Sequence, residues 1–290
     1  MTSDDLLPDI ALQRCKTHRS TPIARYIYTR GTANGKRVQA LGGAKNHMLV
    51  LPDADLDLAA DAAVNAGFGS AGERCMAISV LLAVDSIADE LIAKISERMA
   101  TLKTGDGSMG CDMGPIVTGV ARDRIVGYIE AGVGAGAELV VDGRETEFHG
   151  GADGFFVGPT LFDKVSTDMS IYTDEIFGPV LTIARVDTYE QALALPTEHE
   201  YGNGVAIYTR DGGTARDFVS RVEVGMVGVN VPIPVPVAYH AFGGWKKSGF
   251  GDLNQHGSDA FRFYTRTKTV TARWPSGIKE GAAFSIPTME

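Results

Sequence analysis

Cysteine is scarce in this chain: three residues in 290, at Cys15, Cys75 and Cys111. An odd number at wide spacing gives no disulfide framework, and without a C-x-x-C pair there is no thiolate zinc site to build from. Excess basic charge is lacking as well. Lys and Arg total 27 against 36 Asp and Glu, for a net charge of -9, which excludes a general affinity for nucleic acid but leaves room for a local basic site for an anionic ligand. The six histidines are scattered without metal-ligand spacing, so no metal site is expected. No apolar run reaches transmembrane length, and the acidic stretch Met1 to Pro8 lacks the charge pattern of a secretion signal. No internal repeat or low-complexity tract interrupts the chain. A reducing, cytoplasmic compartment is expected, with neither membrane nor nucleic acid as partner.

What is present is an ordinary globular composition, 44% hydrophobic and 22% charged, in a chain long enough to bury a sizeable core. Thr21-Pro22 reads as a helix start, since Pro fits the first turn. Val38 to Gly43 reads as a short strand ending in a Gly-Gly turn, and Met48 to Leu51 as a second short apolar run. Pro52 to Asp55 opens a helix whose buried face runs Leu56, Ala59, Ala60, Ala63, Val64, Gly67. The spacing then predicts a strand over Ile78 to Val84 and an amphipathic helix over Ile87 to Leu102. Helices over Arg122 to Gly132, Glu190 to Leu195 and Thr214 to Arg221 alternate with strands over Glu138 to Val141, Val180 to Val186, Gly204 to Tyr208 and Met226 to Val231. Such alternation predicts an α/β layer architecture with a mostly parallel, twisted sheet.

Gly67-Phe68-Gly69-Ser70-Ala71-Gly72 matches G-x-G-x-x-G, but a dinucleotide loop needs a strand before it. Here a helix precedes, so the glycines are read as ending that helix and allowing a tight turn. Three residues on stands Cys75. A lone cysteine is usually a small buried hydrophobe. This one follows a glycine-rich loop that can bring backbone N–H groups to a substrate oxygen, and it adjoins the positive charge of Arg74, which favours thiolate. From these residues alone, nucleophile and buried hydrophobe both stay open.

The segments Ala40-Leu41-Gly42-Gly43, Asp53-Ala54-Asp55-Leu56-Asp57 and Phe68 to Cys75 together resemble the aldehyde dehydrogenase superfamily. So do Asp174-Glu175-Ile176-Phe177-Gly178-Pro179-Val180 and Phe242-Gly243-Gly244-Trp245-Lys246-Lys247-Ser248-Gly249. The likeness runs in order from about Ser20 to near Trp274. It implies an aldehyde-dehydrogenase-like fold with NAD as cofactor and Cys75 as nucleophile. It implies that Glu175 and Phe177 contact the nicotinamide ribose and ring, and that Ser20 and Thr21 end the pyrophosphate-binding turn. Arg19 stands where that turn has a glycine.

Two departures narrow the resemblance. Most members carry a glutamate before Leu-Gly-Gly as general base for water; here the residue is Ala40. Cys75 is preceded by Arg74 within Gly-Glu-Arg-Cys-Met. Both features are similar to the CoA-acylating methylmalonate-semialdehyde dehydrogenases, as are Phe263 to Arg266 and Ser276 to Ile278. The resemblance implies CoA as cosubstrate, a homo-oligomer, and oxidation of methylmalonate or malonate semialdehyde to propionyl-CoA or acetyl-CoA with loss of CO2. Arg74 either holds the substrate carboxylate by a bidentate pair or serves only to favour the thiolate.

By the same resemblance, residues 1–19 are an unmatched leader, 20–43 a remnant of the NAD-binding domain, 44–245 the catalytic domain, and 246–290 a C-terminal segment. Lys268 to Trp274 alternates apolar and polar residues as a strand does and implies an oligomerisation contact. Most of the family's dinucleotide-binding domain, with the asparagine that gives its second oxyanion donor, would precede the residues seen here. A truncated form is therefore expected, with little turnover alone, and a non-catalytic fragment that joins the family's oligomer is the alternative. Val231 to Val237, rich in proline, is read as a substrate-side loop rather than a polyproline ligand. His47 and His240 are read as packing or surface residues, and the tail after Gly277 as lying along a surface.

Overall fold

A computed structural model of the protein describes residues 14–18, 20–151, 153–272 and 274. The first elements are β1 (Arg14–His18), α1 (Thr21–Ala33) and β2 (Arg37–Leu41). Pro22 sits in the first turn of α1, where a missing N–H costs nothing. Along β2 the side chains alternate. Val38 and Ala40 join Ala24 and Ile27 of α1 in a small core of their own, while Gln39 and Leu41 take the other face. β1 falls inside the stretch 1–19 that the sequence sets apart. It pairs in parallel with β2 from Arg14 against Arg37 to His18 against Leu41, and Arg14 Nε donates to the Phe263 carbonyl at 2.6 Å. Backbone pairing asks little of side-chain pattern, which is why this basic strand carries no hydrophobic signal. Arg19 and residues 1–13 lie outside the described residues.

The chain then builds the large sheet: β3 (Asn46–Val50), α2 (Leu56–Phe68), β4 (Ile78–Val84), α3 (Asp85–Met99), α4 (Gly119–Gly134), β5 (Glu138–Val141), β6 (Thr160–Asp163), α5 (Ser170–Thr173), β7 (Val180–Val186) and α6 (Tyr189–Glu198). β8 (Tyr201–Gly202), β9 (Gly204–Tyr208), α7 (Gly212–Arg221) and β10 (Met226–Val229) follow. Seven strands lie in the order β10-β9-β3-β4-β7-β6-β5. All pair in parallel except β5, which runs antiparallel to β6 at the edge. The expected mostly parallel α/β sheet is thus present, with β6 a strand that the sequence pattern does not announce.

The central strands are buried on both faces. β3 is buried at every position, and Leu81, Leu82 and Ile183 are fully enclosed. Burying each such side chain contributes roughly 1.5–3 kcal/mol. α2 packs closely because its inner face is nearly all alanine: Ala59, Ala60, Ala62, Ala63 and Ala66. α3 buries Ala88, Leu91, Ile95 and Met99, a set at helical spacing. Its Lys94 and Arg98 pair with Asp57 and Asp61 of α2. These pairs are half exposed and contribute little beyond register.

The C-terminal part adds β11 (Trp245–Lys246), which pairs with β8, then β12 (Gly249–Phe250), which pairs with β2, and α8 (Gly257–Tyr264). Among the described residues, the strand expected at Lys268 to Trp274 is not formed. Residues 265–272 and Trp274 carry no secondary structure, and Val270 and Trp274 are 75% and 88% exposed. Among the described residues no sheet edge receives them. The tail after Gly277 lies outside the described residues, and no described helix is long and apolar enough to cross a membrane.

Candidate active site

Because β3, β4, β7, β9 and β10 are parallel, their amino-terminal ends meet along one edge of the sheet. The residues there come from distant parts of the sequence. A cleft of about 700 Å³ opens on this edge and is lined by Ser20, Cys75, Glu175, Phe177, Asn203 and Arg124, among others. Four residues singled out in the sequence therefore converge on one cavity. Open α/β sheets more often bind ligands at their carboxyl ends; here that opposite edge carries a shallower groove bordered by Asp53, Asp187, Asp211 and Asp217.

Cys75 sits in the turn that leads into β4, and it is exposed. The chain reaches it through a strained path. Ser70 and Ala71 both have φ of +54°, followed by Gly72 at +68°. The left-handed region costs an L side chain about 1–2 kcal/mol. Gly72 cannot be replaced cheaply, since a Cβ there would lie 2.1 Å from the Gly178 carbonyl oxygen. The loop carrying Cys75 is thus pressed against the segment carrying Phe177, itself at φ +53°. The G-x-G-x-x-G match ends α2 and forms this turn, as its helical context indicates.

The turn is held from below by amides. Asn46, at the start of β3, donates from Nδ2 to the carbonyls of Cys75 (3.1 Å) and Ala77 (2.9 Å), and its Oδ1 accepts from Gly204 N–H at 3.0 Å. Asn203, just before β9, donates from Nδ2 to the Cys75 carbonyl at 2.9 Å and meets Met76 Sδ at 3.0 Å. The Cys75 N–H meets no backbone acceptor among the described residues.

Glu175 follows α5. Its Oε1 accepts from Ala44 N–H at 3.0 Å, and burial pushes its carboxyl above the usual range, with that hydrogen bond and the charges of Lys45 and Arg124 opposing. The close approach needs the Gly-Gly turn, because a Cβ on Gly43 would lie 2.6 Å from Glu175 Oε2. Lys45 is buried, and its Nζ donates to the carbonyls of Ile171 (2.7 Å) and Asp174 (2.8 Å). Desolvation brings this amine down to about 7, against the pull of Asp174 and Glu175. Thr21 spends its hydroxyl inside the protein, accepting from Gly43 N–H at 2.9 Å and bonding Tyr201 Oη at 3.1 Å. Ser20, the residue before α1, makes no side-chain cap and lines the cleft.

Arg74 does not line the main cleft. It borders a recess of about 20 Å³ that it shares with Cys75, Glu175 and Phe177, and its Nε donates to Ser70 Oγ at 3.1 Å. Ala40 does not face the cleft either. Its side chain is fully enclosed in the small core against α1, whereas its neighbour Leu41 lines the cavity. Val235 of the proline-rich loop lines the cleft too. His47 is buried beside Tyr172 and His199, and His240 is exposed. Sequence reasoning passed over Asn46, Lys45, Arg124 and Asn203, which are isolated polar residues at strand starts or on a helix surface, with no motif of their own.

The pattern of the aldehyde dehydrogenase family matches residues 5–270, beginning inside the stretch that the sequence reading sets apart. The malonate-semialdehyde dehydrogenase of Pseudomonas aeruginosa is 58% identical over 273 residues, 93% of this chain and 55% of that protein. The chain thus spans about half the length of the curated relatives it matches. Among solved structures, the methylmalonate-semialdehyde dehydrogenase of Oceanimonas doudoroffii superposes with a TM-score of 0.92 at 53% identity, over 94% of this chain and 57% of that one. A Mycobacterium tuberculosis aldehyde dehydrogenase complexed with NAD+ superposes with a TM-score of 0.83 at 30% identity, over 90% of this chain and 53% of that one.

Proposed function

The chain belongs to the aldehyde dehydrogenase family, and on that footing we propose that its cleft serves the NAD-dependent, CoA-acylating oxidation of malonate or methylmalonate semialdehyde. The observation that carries this reading is the convergence of an exposed Cys75 with Ser20, Glu175 and Phe177 on one cavity. In this reading Cys75 Sγ adds to the aldehyde carbon, and the Cys75 N–H receives the oxyanion. NAD, when bound, takes up the hydride. Glu175 and Phe177 suit its nicotinamide ribose and ring and Ser20 its pyrophosphate, since Ser20 caps nothing and only Oε1 of Glu175 is paired among the described residues. Thr21, with its hydroxyl committed to Gly43 and Tyr201, acts by shaping the turn.

The acyl group is left as a thioester on Cys75. A buried Ala40 offers no base for water, and Glu175 is taken up by the nicotinamide ribose in this reading. A thiol needs less activation than water, so CoA is the acceptor. Guanidinium groups at Arg74 and Arg124 favour an aldehyde that carries a carboxylate, and loss of that carboxylate as CO2 gives acetyl-CoA or propionyl-CoA. The exposed Val270 and Trp274 support the expectation of a homo-oligomer, and the cytoplasm remains the proposed compartment. The test is NADH absorbance with methylmalonate semialdehyde and NAD. The turnover expected of this chain alone is slight, and what NADH it forms should stop near one equivalent per chain without CoA and continue with it. Sustained turnover without CoA, or activity that survives Cys75→Ala, refutes the reading.

A further inference from the structure

We propose that Asn203 is a positioning residue for the Cys75 nucleophile, holding the Cys75 carbonyl from the rim of the cleft so that the thiol and main-chain N–H of Cys75 face a bound carbonyl substrate. The inference rests on the reading of Cys75 as nucleophile. Its ground is an asymmetry between two asparagines. The Cys75 carbonyl oxygen has two lone pairs, and two side-chain amides take them, Asn46 at 3.1 Å and Asn203 at 2.9 Å. Asn46 is buried and fully occupied: its remaining amide capacity joins Ala77 to Gly204 and so staples β4 to β9. That is a structural post. Asn203 is half-buried, lines the cleft, and makes side-chain hydrogen bonds only to Cys75 and Met76 among the described residues.

Asn203 is itself well anchored. Its backbone carbonyl accepts from Met226 N–H at 3.1 Å, and the next residue, Gly204, is held by Asn46. The amide that meets Cys75 therefore projects from the joined ends of β9 and β10. Holding the Cys75 carbonyl fixes the plane of the Cys75–Met76 peptide and so restricts the backbone rotation about Cα–C of Cys75, on which the aim of its N–H and side chain relative to that plane depends. The approach to this turn through Ser70 and Ala71 is strained and will relax if released. Removing the Asn203 donor leaves the thiol in place as a nucleophile but loosens the alignment of the oxyanion donor with it.

Two reactions of Cys75 separate these effects. Alkylation by iodoacetamide is a displacement at carbon and forms no oxyanion. Acylation by p-nitrophenyl acetate adds the thiolate to a carbonyl, passes through an oxyanion, expels p-nitrophenolate and leaves an acetyl thioester. Asn203→Leu keeps the approximate size without the donor and places no charge beside the thiol, and Asn203→Ala removes both. In the 290-residue chain, each variant is expected to lower the p-nitrophenolate burst rate about tenfold while alkylation of Cys75 stays within about twofold, a split that general loosening of the fold does not give. A burst that vanishes in Cys75→Ala but is unchanged in both Asn203 variants overturns the inference alone. So does a parallel fall in both rates. A burst that survives Cys75→Ala overturns the nucleophile assignment, and the role of Asn203 falls with it.

Discussion

Lowering the pH from 7 to 5 should destabilise this protein through two imidazoles that face each other in its interior. His47 and His199 lie with ring centroids 5.4 Å apart. His47 donates from Nδ1 to the Lys45 carbonyl at 2.9 Å, so its Nε2 accepts from Tyr172 Oη at 3.2 Å. His199 is held the other way, its Nδ1 accepting from Tyr201 N–H at 3.1 Å. A proton on His199 Nδ1 would face an N–H that cannot turn away. Desolvation lowers His199 from 6.5 to about 4, with the charge of Lys45 acting in the same direction, and desolvation also holds His47 well below its ordinary value. As pH falls below 6.5 the unfolded chain binds protons that the folded chain refuses. Stability is therefore fully present above 6.5 and is lost as pH falls toward about 4. At pH 5 the loss from His199 is about 2 kcal/mol, and His47 adds to it in the same sense. Glu175, raised by burial, works weakly in the opposite sense, and Lys45, lowered to about 7, adds slightly in the same sense as the imidazoles near the top of this window. Urea unfolding at pH 7, 6 and 5 measures the effect, with a His47→Gln/His199→Gln variant as the control. A flat profile in the parent chain, or an equal slope in the control, would refute the argument.

Iodoacetamide at limiting dose should label Cys75 before Cys15 and Cys111, because Cys75 alone of the three is exposed and burial pushes the Cys15 thiol up; peptide mass mapping reads the order. Ala40→Glu should cost about 3–5 kcal/mol and add no hydrolysis of the acyl-enzyme, since the new carboxylate enters the core beside Ala24 and Ile27; a chain of parental Tm that hydrolyses its thioester would contradict this placement. Gly72→Ala should cost about 2–4 kcal/mol from left-handed strain and overpacking against Gly178, whereas Ala71→Gly should leave the Tm equal or higher.

Where the sequence was legible, it was so because periodicity and motif are local. The alanine face of α2 and the 87–99 face of α3 repeat at helical spacing and fold as such. Cys75, Glu175 and Phe177 stand in contiguous motifs, and each of those segments reaches the cleft. Asn46 and Asn203 are different. Nothing within either neighbourhood marks it, since their function arises only when β3 and β9 become adjacent strands. Lys45 is misleading in the same way, because a lysine in a Gly-Gly-Ala-Lys run suggests solvent until two carbonyls of a distant helix claim its ammonium. Ala40 shows a further limit. A residue type can be read from sequence, but the face it occupies depends on the phase of β2, which the small core against α1 sets.

The contact between Gly72 and Gly178 bears on how this loop can drift. Every single-base change that replaces glycine introduces a Cβ or a stop, so no one-step substitution at position 72 avoids the carbonyl 2.1 Å away. Ser70 and Ala71 are in the reverse position. They already hold side chains in the left-handed region, and a change of either to glycine relieves strain. Variation in natural populations should therefore run one way across three adjacent codons, toward glycine at the first two and not away from it at the third.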